Sequence, residues 1–282
     1  LETLDSRYFR LLDLVTIARS RKHIEKYYNI NDIGTFPKRQ KPVNVKSDID
    51  SQKLFPSLHD VNREIRKMNL SAYSPLKYIL PTKKEAYSAK YDRKLETGST
   101  FRQIDREESL IHLMRVNLLK RMESSINSFG ITLNNLLGKI DALLDKIQNL
   151  SEFYDEDLSI EDVDIDDPLL EDFLIGNKTK VLLQDIDVVR WKQDLLEDRN
   201  RLQLLLDHTA KIDATRDKKL QDLKELIKQK ATHPLNDNNK KVIIFTAFAD
   251  TANYLYNELI PWVKSELKLN SALVTGTGNN KT

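Results

Sequence analysis

The sequence has 282 residues, 40% of them hydrophobic, which is enough to bury a core in one large or two modest domains. Its 31% of charged residues, seven glycines and eight prolines favour long solvated helices and exclude a sheet-rich fold with many tight turns. The absence of cysteine excludes disulfides and thiolate sites, and the net charge of +2 does not by itself indicate a nucleic-acid partner.

No apolar run reaches the roughly 18 residues that cross a bilayer. The N-terminal LETLDSRYFR lacks the apolar stretch of a signal peptide. We therefore expect a soluble, cytoplasmic protein with no membrane contact. Because the chain begins without Met, we also expect a fragment or a processed chain.

The first third of the chain has two helical patterns with a short strand pattern between them. Residues 1–28 have helical periodicity, and VNVKSDI at 43–49 alternates like a short strand. A helical pattern returns over 58–91, with interruptions expected near Pro75 and Pro81.

The longest signal is one apolar stripe over about forty residues, with spacings of three and four that predict a long helix with a seam. Gly130 and Gly138 are candidate positions for a bend in it. The stripe consists of Ile111, Met114, Leu118, Met122, Ile126, Phe129, Leu133, Leu136, Ile140, Leu143, Ile147 and Leu150.

A second helical stretch is predicted from about Val181. The acidic segment 151–173 separates it from the first, so the pair predicts a long antiparallel helical hairpin. Its candidate seam residues are Leu196, Leu202, Leu205, Ile212, Leu220, Leu223 and Ile227.

The chain ends in a different pattern. KKVIIFTAF at 240–248 predicts a strand that Thr246 closes, followed by a polar corner and an amphipathic helix, and ALVTG predicts a second strand. Two strands and one helix are too few for a stable α/β domain. We therefore expect a mainly α fold with a partial α/β element, which either continues in residues outside 1–282 or docks on another element.

Motifs for catalysis and metal binding are incomplete. GTGNNKT has Asn280 where a phosphate loop needs glycine before Lys281. DVDIDD at 162–167 resembles the start of a calcium loop, but it has Asp167 in place of the turn glycine and Phe173 in place of the bidentate Glu. The five histidines are not paired at zinc-ligand spacing, and no Ser or Thr lies in a nucleophile elbow. We predict no catalytic or metal-binding residue in this chain.

Basic residues near hydroxyl groups are the remaining candidates for a binding site. Charge clusters on helices are most often solvated faces, and that interpretation stays open. Basic groups beside hydroxyls also suit nucleic-acid backbones, which need charge and hydrogen-bond donors but no base readout. The clusters are Arg19, Arg21 and Lys22; Lys38, Arg39 and Lys41; and Lys120 and Arg121 with Ser124 and Ser125.

The predicted strand–helix unit has its own potential to bind phosphate. Thr246 closes the strand, and Asp250 and Thr251 are candidate caps of the helix. A strand end that faces a helix N-terminus presents free amides and the favourable end of the helix dipole. An ordinary strand–helix unit without a ligand explains the same residues.

The order of these segments resembles Swi/Snf-type superfamily-two helicases and translocases, including bacterial and phage-defence members. The resemblance begins with IARSRKHIEKYY, FPKRQKPVNV and LHDVNREIRKMNLSAYSPLKYI, which look like the region after the first motor lobe. It continues with LMRVNLLKRMESSINSF, a block similar to one in the bacterial members. It ends with ATRDKKLQDLKELI, KKVIIFTAFADTANYLYNEL and ALVTG, which look like the helix leading into the second RecA-like lobe, motif IV and the next strand. The motifs are individually loose, but their order is specific and covers nearly the whole chain.

The resemblance implies a domain order. Residues 1–56 would connect from the first motor lobe, and 57–234 would form a helical insertion with the long hairpin and an acidic loop at 151–173. Residues 235–282 would be the truncated start of the second RecA-like lobe.

The resemblance also implies an ATP-driven helicase or translocase that grips DNA, most readily duplex DNA, and uses ATP and Mg. The family's phosphate loop, acidic magnesium box and arginine finger are not found in this sequence, so the ATP and Mg sites are expected mostly outside it. The nucleic-acid contacts expected here are Arg19, Arg21, Lys22, Lys120, Arg121, Thr246 and Gly276, the last in the turn after ALVTG.

A non-enzymatic helical scaffold is the alternative, with the hairpin as a coiled-coil element that binds a protein partner. The terminal VIIFTAF favours the motor, because a coiled-coil scaffold does not need a buried strand followed by a polar corner.

Overall fold

The structure is a computed structural model that describes residues 15, 21, 40–94, 98–149, 159–161, 171, 173–176, 179–235 and 239–276. The chain falls into two units, one made of 1–46 with 235–239 and the other of 47–234 with 240–282. In the first unit Val15 and Arg21 are helical and exposed, and the rest of the helix predicted over 1–28 lies outside the described residues. The elements that follow belong to the second unit.

Helices dominate the second unit, which confirms the mainly α fold class. The α-helices found in its described residues are α1 Leu58–Lys67, α2 Lys84–Tyr91, α3 Gln103–Ser124, α4 Ile126–Gln148, α5 Val188–Thr209, α6 Lys218–Thr232 and α7 Ala249–Trp262. The interruptions predicted at Pro75 and Pro81 are confirmed, since each proline begins a 3-10 turn between α1 and α2. No helix in the described part of the chain is both long enough and apolar enough to cross a bilayer.

The apolar stripe predicted over 111–150 is confirmed as core, but the single long helix is wrong. Every described member of the stripe is buried except Met114, which is partly buried and packs against the core. Ser125 has an extended backbone, with φ −163° and ψ 138°, so it ends α3 and precedes α4. Its side chain accepts hydrogen bonds from the amides of Asn127 and Ser128 and thereby caps α4. The break therefore lies at a helix cap and not at either glycine.

Helices α4 and α5 form the predicted antiparallel hairpin. Thr209 at the end of α5 lies beside Gly130 near the start of α4. Arg199, about three turns earlier in α5, donates a 2.6 Å hydrogen bond to Asp141, which lies about three turns beyond Gly130 in α4. A Cβ atom on Gly130 would lie 3.2 Å from the Thr209 hydroxyl oxygen, so glycine permits this close approach of the two helices.

Two small antiparallel sheets complete the described elements. Strands β1 Arg93–Lys94 and β2 Thr100–Phe101 form one, and β3 Leu174–Ile175 and β4 Val181–Leu182 form the other. The second helical stretch therefore begins at α5 and not near residue 181. Between β3 and β4, Gly176 has φ +107°, and an added Cβ would lie 2.0 Å from a backbone oxygen, so only glycine fits that turn.

A buried carboxylate joins α5 to the loop after α1. Asp198 is fully buried and accepts hydrogen bonds from the amides of Asn69 at 2.6 Å and Ser71 at 2.8 Å, and from the Ser71 hydroxyl at 2.9 Å. Trp191, also fully buried, donates from its indole nitrogen to the Ser71 carbonyl at 3.1 Å. The two α5 side chains lie about two helix turns apart and hold the same loop.

Two strand predictions are wrong. Residues 40–48 and 240–248 have no regular secondary structure, and Ile243 and Phe245 are 78% and 91% exposed. A strand needs a neighbour to complete its backbone hydrogen bonds, and none of the four described strands pairs with either segment. The strand predicted at ALVTG is reduced to one bridge residue, Leu273. Of the strand–helix–strand unit expected at the end of the chain, only the helix, α7, is formed.

Helix α7 packs against α4 and against α6. The Tyr254 hydroxyl on α7 donates a 2.9 Å hydrogen bond to Asp217, the residue whose side chain caps α6. An apolar cluster separate from the main core holds α6 and α7 together, and its buried members are Leu220, Ile227, Leu259 and Val263.

Candidate nucleic-acid interface

The end of α3 lies against the start of α7. The last turn of α3 carries Arg121, and a basic residue interacts favourably with the C-terminal end of a helix dipole. Because the chain breaks at Ser125, the residues on both sides of the break contact the segment 246–251. We call this contact the α3–α7 junction; it consists of Arg121, Ser124, Ser128, Thr246, Phe248, Asp250 and Thr251.

A chain of hydroxyl groups forms the inner side of the junction. Thr251 Oγ1 lies 2.7 Å from Ser128 Oγ and 2.9 Å from Ser124 Oγ. Ser124 Oγ lies 3.3 Å from Thr246 Oγ1, which accepts a hydrogen bond from the Phe248 amide at 3.4 Å. A hydroxyl group both donates and accepts, so neighbouring members can satisfy one another. Ser128 and Thr251 are buried, which makes this side of the junction structural.

Arg121 forms the outer, charged side of the junction. Its guanidinium donates to the Asp250 carboxylate and lies 4.6 Å from the centre of the Phe248 ring. The two charged side chains are 23% and 39% exposed, so water and ions reach the pair. Arg121 Nε is buried and has no hydrogen-bond partner among the described residues. The arginine is thus oriented by one carboxylate and one aromatic ring.

The outer side of the junction has the chemistry that a phosphate group requires. Asp250 lies in the first turn of α7, where amides lack intrahelical acceptors and the helix dipole favours negative charge. The Asp250 carboxylate provides this negative charge at the start of α7. A phosphate oxygen accepts the same guanidinium N–H groups as a carboxylate does, so phosphate can replace Asp250 as the partner of Arg121. Exposed Lys120 adds a second positive charge next to Arg121 along α3.

Two of the predicted contact residues meet in the junction. Arg121 and Thr246 belong to sequence blocks predicted separately, and Ser124 connects them. Thr246 closes no strand, because residues 240–248 have no regular structure, and its hydroxyl contacts Ser124 and the Phe248 amide. Ser125, considered beside Lys120 as a phosphate donor, is buried and caps α4 instead.

The other predicted contacts are not brought to the junction. Gly276 lies in an exposed turn, and an added Cβ would meet no atom within 4 Å, so its surroundings do not require glycine. Arg21 is an exposed helical residue of the first unit, and Arg19 and Lys22 lie outside the described residues.

Sequence reasoning missed the partners of these residues. Asp250 was expected to cap α7, but α7 begins at Ala249 with Phe248 as its N-cap, and Asp250 pairs with Arg121. Ser124 and Ser128 are four residues apart, but they lie on different helices, so helical periodicity does not account for their shared contact. Their common partner is more than 120 residues away, and no local pattern indicates such a contact.

Buried carboxylates outside the junction are held by internal partners. Burial raises the pKa of Asp198 and raises that of Glu107 to about 8, although the Leu76 amide donates to Glu107 at 3.2 Å. Hydrogen bonds from Arg216 hold the pKa of Asp50 at about 2. These contacts explain the three groups as parts of the fold.

The described part of the chain contains no group of three or more His, Asp or Glu residues placed to bind a metal ion. The acidic run at 162–167, considered above as a calcium loop, lies outside the described residues.

A scan against protein-family models and searches of curated proteins and of solved structures find no match to this chain. The junction and the order of the sequence blocks are therefore the features that bear on function.

Proposed function

We propose that this chain is the central part of an ATP-driven DNA translocase or helicase of the Swi/Snf type. In this proposal the α3–α7 junction contacts the DNA backbone, and α7 belongs to the second RecA-like lobe. ATP and Mg would be bound by motor segments outside residues 1–282. No step that involves ATP or Mg is assigned to residues of this chain, because the sequence has neither a phosphate loop nor an acidic magnesium box.

The observation that carries the proposal is the junction itself. It joins LLKRMESS, at the end of α3, to TAFADT, at the start of α7, although the two blocks are more than 120 residues apart in sequence. Each block has the residue types that contact phosphate backbones, namely basic groups and hydroxyls. Both blocks also belong to the ordered set that carries the family resemblance, so their contact supports a common role.

The junction also suggests how DNA contact is coupled to movement. Asp250 and a DNA phosphate compete for Arg121, so binding of the phosphate would release Asp250 from α3. The hydroxyl contacts through Thr251 would remain. DNA binding would then loosen one of two ties between the helical insertion and α7, which allows the two to shift without separating.

The proposal is tested by ATP hydrolysis of the full-length gene product, measured with and without duplex DNA. We expect hydrolysis that duplex DNA stimulates. A matched reaction with DNA but without Mg controls for contaminating phosphate release. Folded protein that hydrolyses no ATP in either condition would contradict the proposal.

A non-enzymatic helical scaffold is the second candidate, and one observation favours it. On α3, Leu110, Leu113 and Val116 are 42%, 64% and 48% exposed. Their three-residue spacing places them along one side of the helix, where a protein partner would cover them. The scaffold is distinguished by stable binding of a protein partner in the absence of ATP hydrolysis.

A further inference from the structure

A small β-hairpin outside the junction presents positive charge and an aromatic ring to solvent. In the β1–β2 sheet, Arg93 lies directly opposite Phe101, and Lys94 lies directly opposite Thr100. Residues opposite each other in an antiparallel pair project from the same face. One face of the hairpin therefore places a guanidinium beside an aromatic ring, and the other places an ammonium beside a hydroxyl.

The charges of this hairpin are not used inside the protein. Arg93, Lys94 and the nearby Arg102 and Arg106 are all exposed, and none of their side chains has a hydrogen bond or ion pair with any residue in the described ranges. By contrast, Arg121 in the junction and Arg199 in the α4–α5 hairpin are paired with carboxylates. Phe101 is 39% exposed. Positive charge without an ion-pair partner therefore lies beside an exposed ring in this part of the surface.

The base of the hairpin is held firmly. Asp92, directly before β1, accepts a 2.9 Å hydrogen bond from the Gln103 amide at the start of α3. The Gln103 side chain donates to the Thr179 hydroxyl at 2.8 Å, and the Tyr91 hydroxyl donates to the Lys180 carbonyl at 2.6 Å. These contacts fix the strands to the helical core while the basic side chains remain free, so the surface is organised before any ligand binds.

Charge on the hairpin alone has an ordinary explanation. Exposed strands are protected from pairing with other chains by charged side chains, and two basic residues on β1 would serve that purpose. That explanation does not account for Phe101, because an exposed aromatic ring on a short edge strand promotes association instead of preventing it. A ligand that is both anionic and flat accounts for the charge and the ring together.

We propose that the β1–β2 hairpin is a binding site for single-stranded nucleic acid. On one face Arg93 contacts a phosphate and Phe101 stacks on an unpaired base, and Lys94 and Arg102 contact further phosphates where the strand passes around the edge of the hairpin. Proteins that bind single strands without sequence preference combine these two elements, a positively charged track and aromatic side chains. Duplex DNA offers the phosphates but no free base face to Phe101.

This site goes beyond the proposed function, because it requires neither ATP hydrolysis nor the α3–α7 junction. The single-strand site is compatible with a motor that moves along duplex DNA and equally with a scaffold that binds no duplex. It adds a second nucleic-acid contact at residues that the sequence resemblance does not assign.

The test is binding of a fluorescently labelled 20-nucleotide polythymidine to the chain of residues 1–282, measured by anisotropy at several salt concentrations. We expect Arg93→Ala with Lys94→Ala to reduce the slope of log affinity against log salt by about 1.4, because each lost phosphate contact to a single strand accounts for about 0.7. Phe101→Ala should weaken binding about fivefold or more, and Phe101→Tyr should retain it.

A matched control removes two exposed positive charges elsewhere, Lys192→Ala on α5 and Lys228→Ala on α6. We expect this variant to keep the wild-type slope. Circular dichroism checks that each variant is folded. The inference is overturned if polythymidine does not bind, if the hairpin and control variants change the slope equally, or if Phe101→Ala binds as wild type does.

These outcomes are separate from those that test the motor. A full-length product with DNA-stimulated ATP hydrolysis but no effect of the hairpin substitutions would overturn the hairpin site and leave the proposed function standing. If the full-length product hydrolyses no ATP but its hairpin variants lose polythymidine binding, the proposed function is overturned and the hairpin site stands.

Discussion

Arg121 in the last turn of α3 and Asp250 in the first turn of α7 form an ion pair across 129 residues of sequence. Next to it, the Thr251 hydroxyl contacts Ser124 and Ser128 on the other side of the helix break. The contact between the two helices therefore has an outer part that is charged and reached by water, and an inner part that is neutral and buried. The two parts can be perturbed separately.

The inner part predicts non-additive effects on stability. Thr251→Val removes the common partner of Ser124 and Ser128, so we expect a loss of about 1 to 3 kcal/mol in the free energy of unfolding. Adding Ser128→Ala to Thr251→Val should lower stability by less than Ser128→Ala does alone, because the unsatisfied hydroxyl is then removed. Urea denaturation gives the free energy of unfolding of Thr251→Val, Ser128→Ala and the double variant. The exposed Thr82→Val is the matched control and should change stability by about 0.5 kcal/mol or less.

The buried carboxylate of Asp198 predicts a larger loss. Asp198→Ala leaves the Asn69 amide and both donors of Ser71 without their acceptor, so we expect a loss of about 3 kcal/mol or more. The exposed neighbour Glu197→Ala is the control on the same helix and should change stability by about 0.5 kcal/mol or less. Equal stability of the two variants in urea denaturation would mean that Asp198 does not hold the loop after α1.

Glu107 predicts a dependence of stability on pH near neutrality. Burial raises the pKa of Glu107 from 4.5 to about 8. Between these values the folded protein binds more protons than the unfolded chain, so stability should fall as pH rises from about 4.5 to 8. Glu107→Gln keeps an acceptor for the Leu76 amide but does not titrate, so it should flatten that decline. The melting temperatures of wild type and Glu107→Gln, measured across this pH range, test the prediction. If both fall equally with rising pH, Glu107 does not cause the decline.

Asp50 predicts the opposite behaviour in acid. Hydrogen bonds from Arg216 lower the pKa of Asp50 from 3.8 to about 2. Between these values the unfolded chain binds the proton more readily, so the stabilisation is present above about pH 4 and is lost as pH falls towards 2. Wild type should therefore lose stability more steeply than Asp50→Asn over this interval. Acid unfolding followed by circular dichroism compares the two slopes.

The helical core was predictable because its signal is local. The apolar stripe over 111–150 identifies buried residues through spacings of three and four, and its described members are buried as expected, apart from the partly buried Met114. The break at Ser125 escaped prediction because one extended residue leaves the stripe continuous in the sequence. Its signal was the residue type, since serine is a preferred helix cap. In α5, Leu196 was expected in the seam but is 42% exposed, whereas its neighbour Leu195 is fully buried.

The strand and the junction depend on contacts that sequence distance conceals. VIIFTAF has the composition of a buried strand, but a strand forms only beside a partner. In the junction, Thr251 finds its partners more than 120 residues earlier in the chain. Basic residues and hydroxyls could be identified from the sequence, but their pairing with Asp250 and Phe248 could not.

The central claim is that Arg121 exchanges Asp250 for a DNA phosphate, and the salt dependence of duplex DNA binding tests it most directly. We expect Arg121→Ala to weaken binding and to lower the salt slope by about 0.9, the value for one phosphate contact on duplex DNA. Asp250→Asn should bind more tightly with no reduction in slope, because it frees the arginine and removes a repelling charge. Wild-type affinity and slope in both variants would show that Arg121 only ties α3 to α7, and would contradict the account.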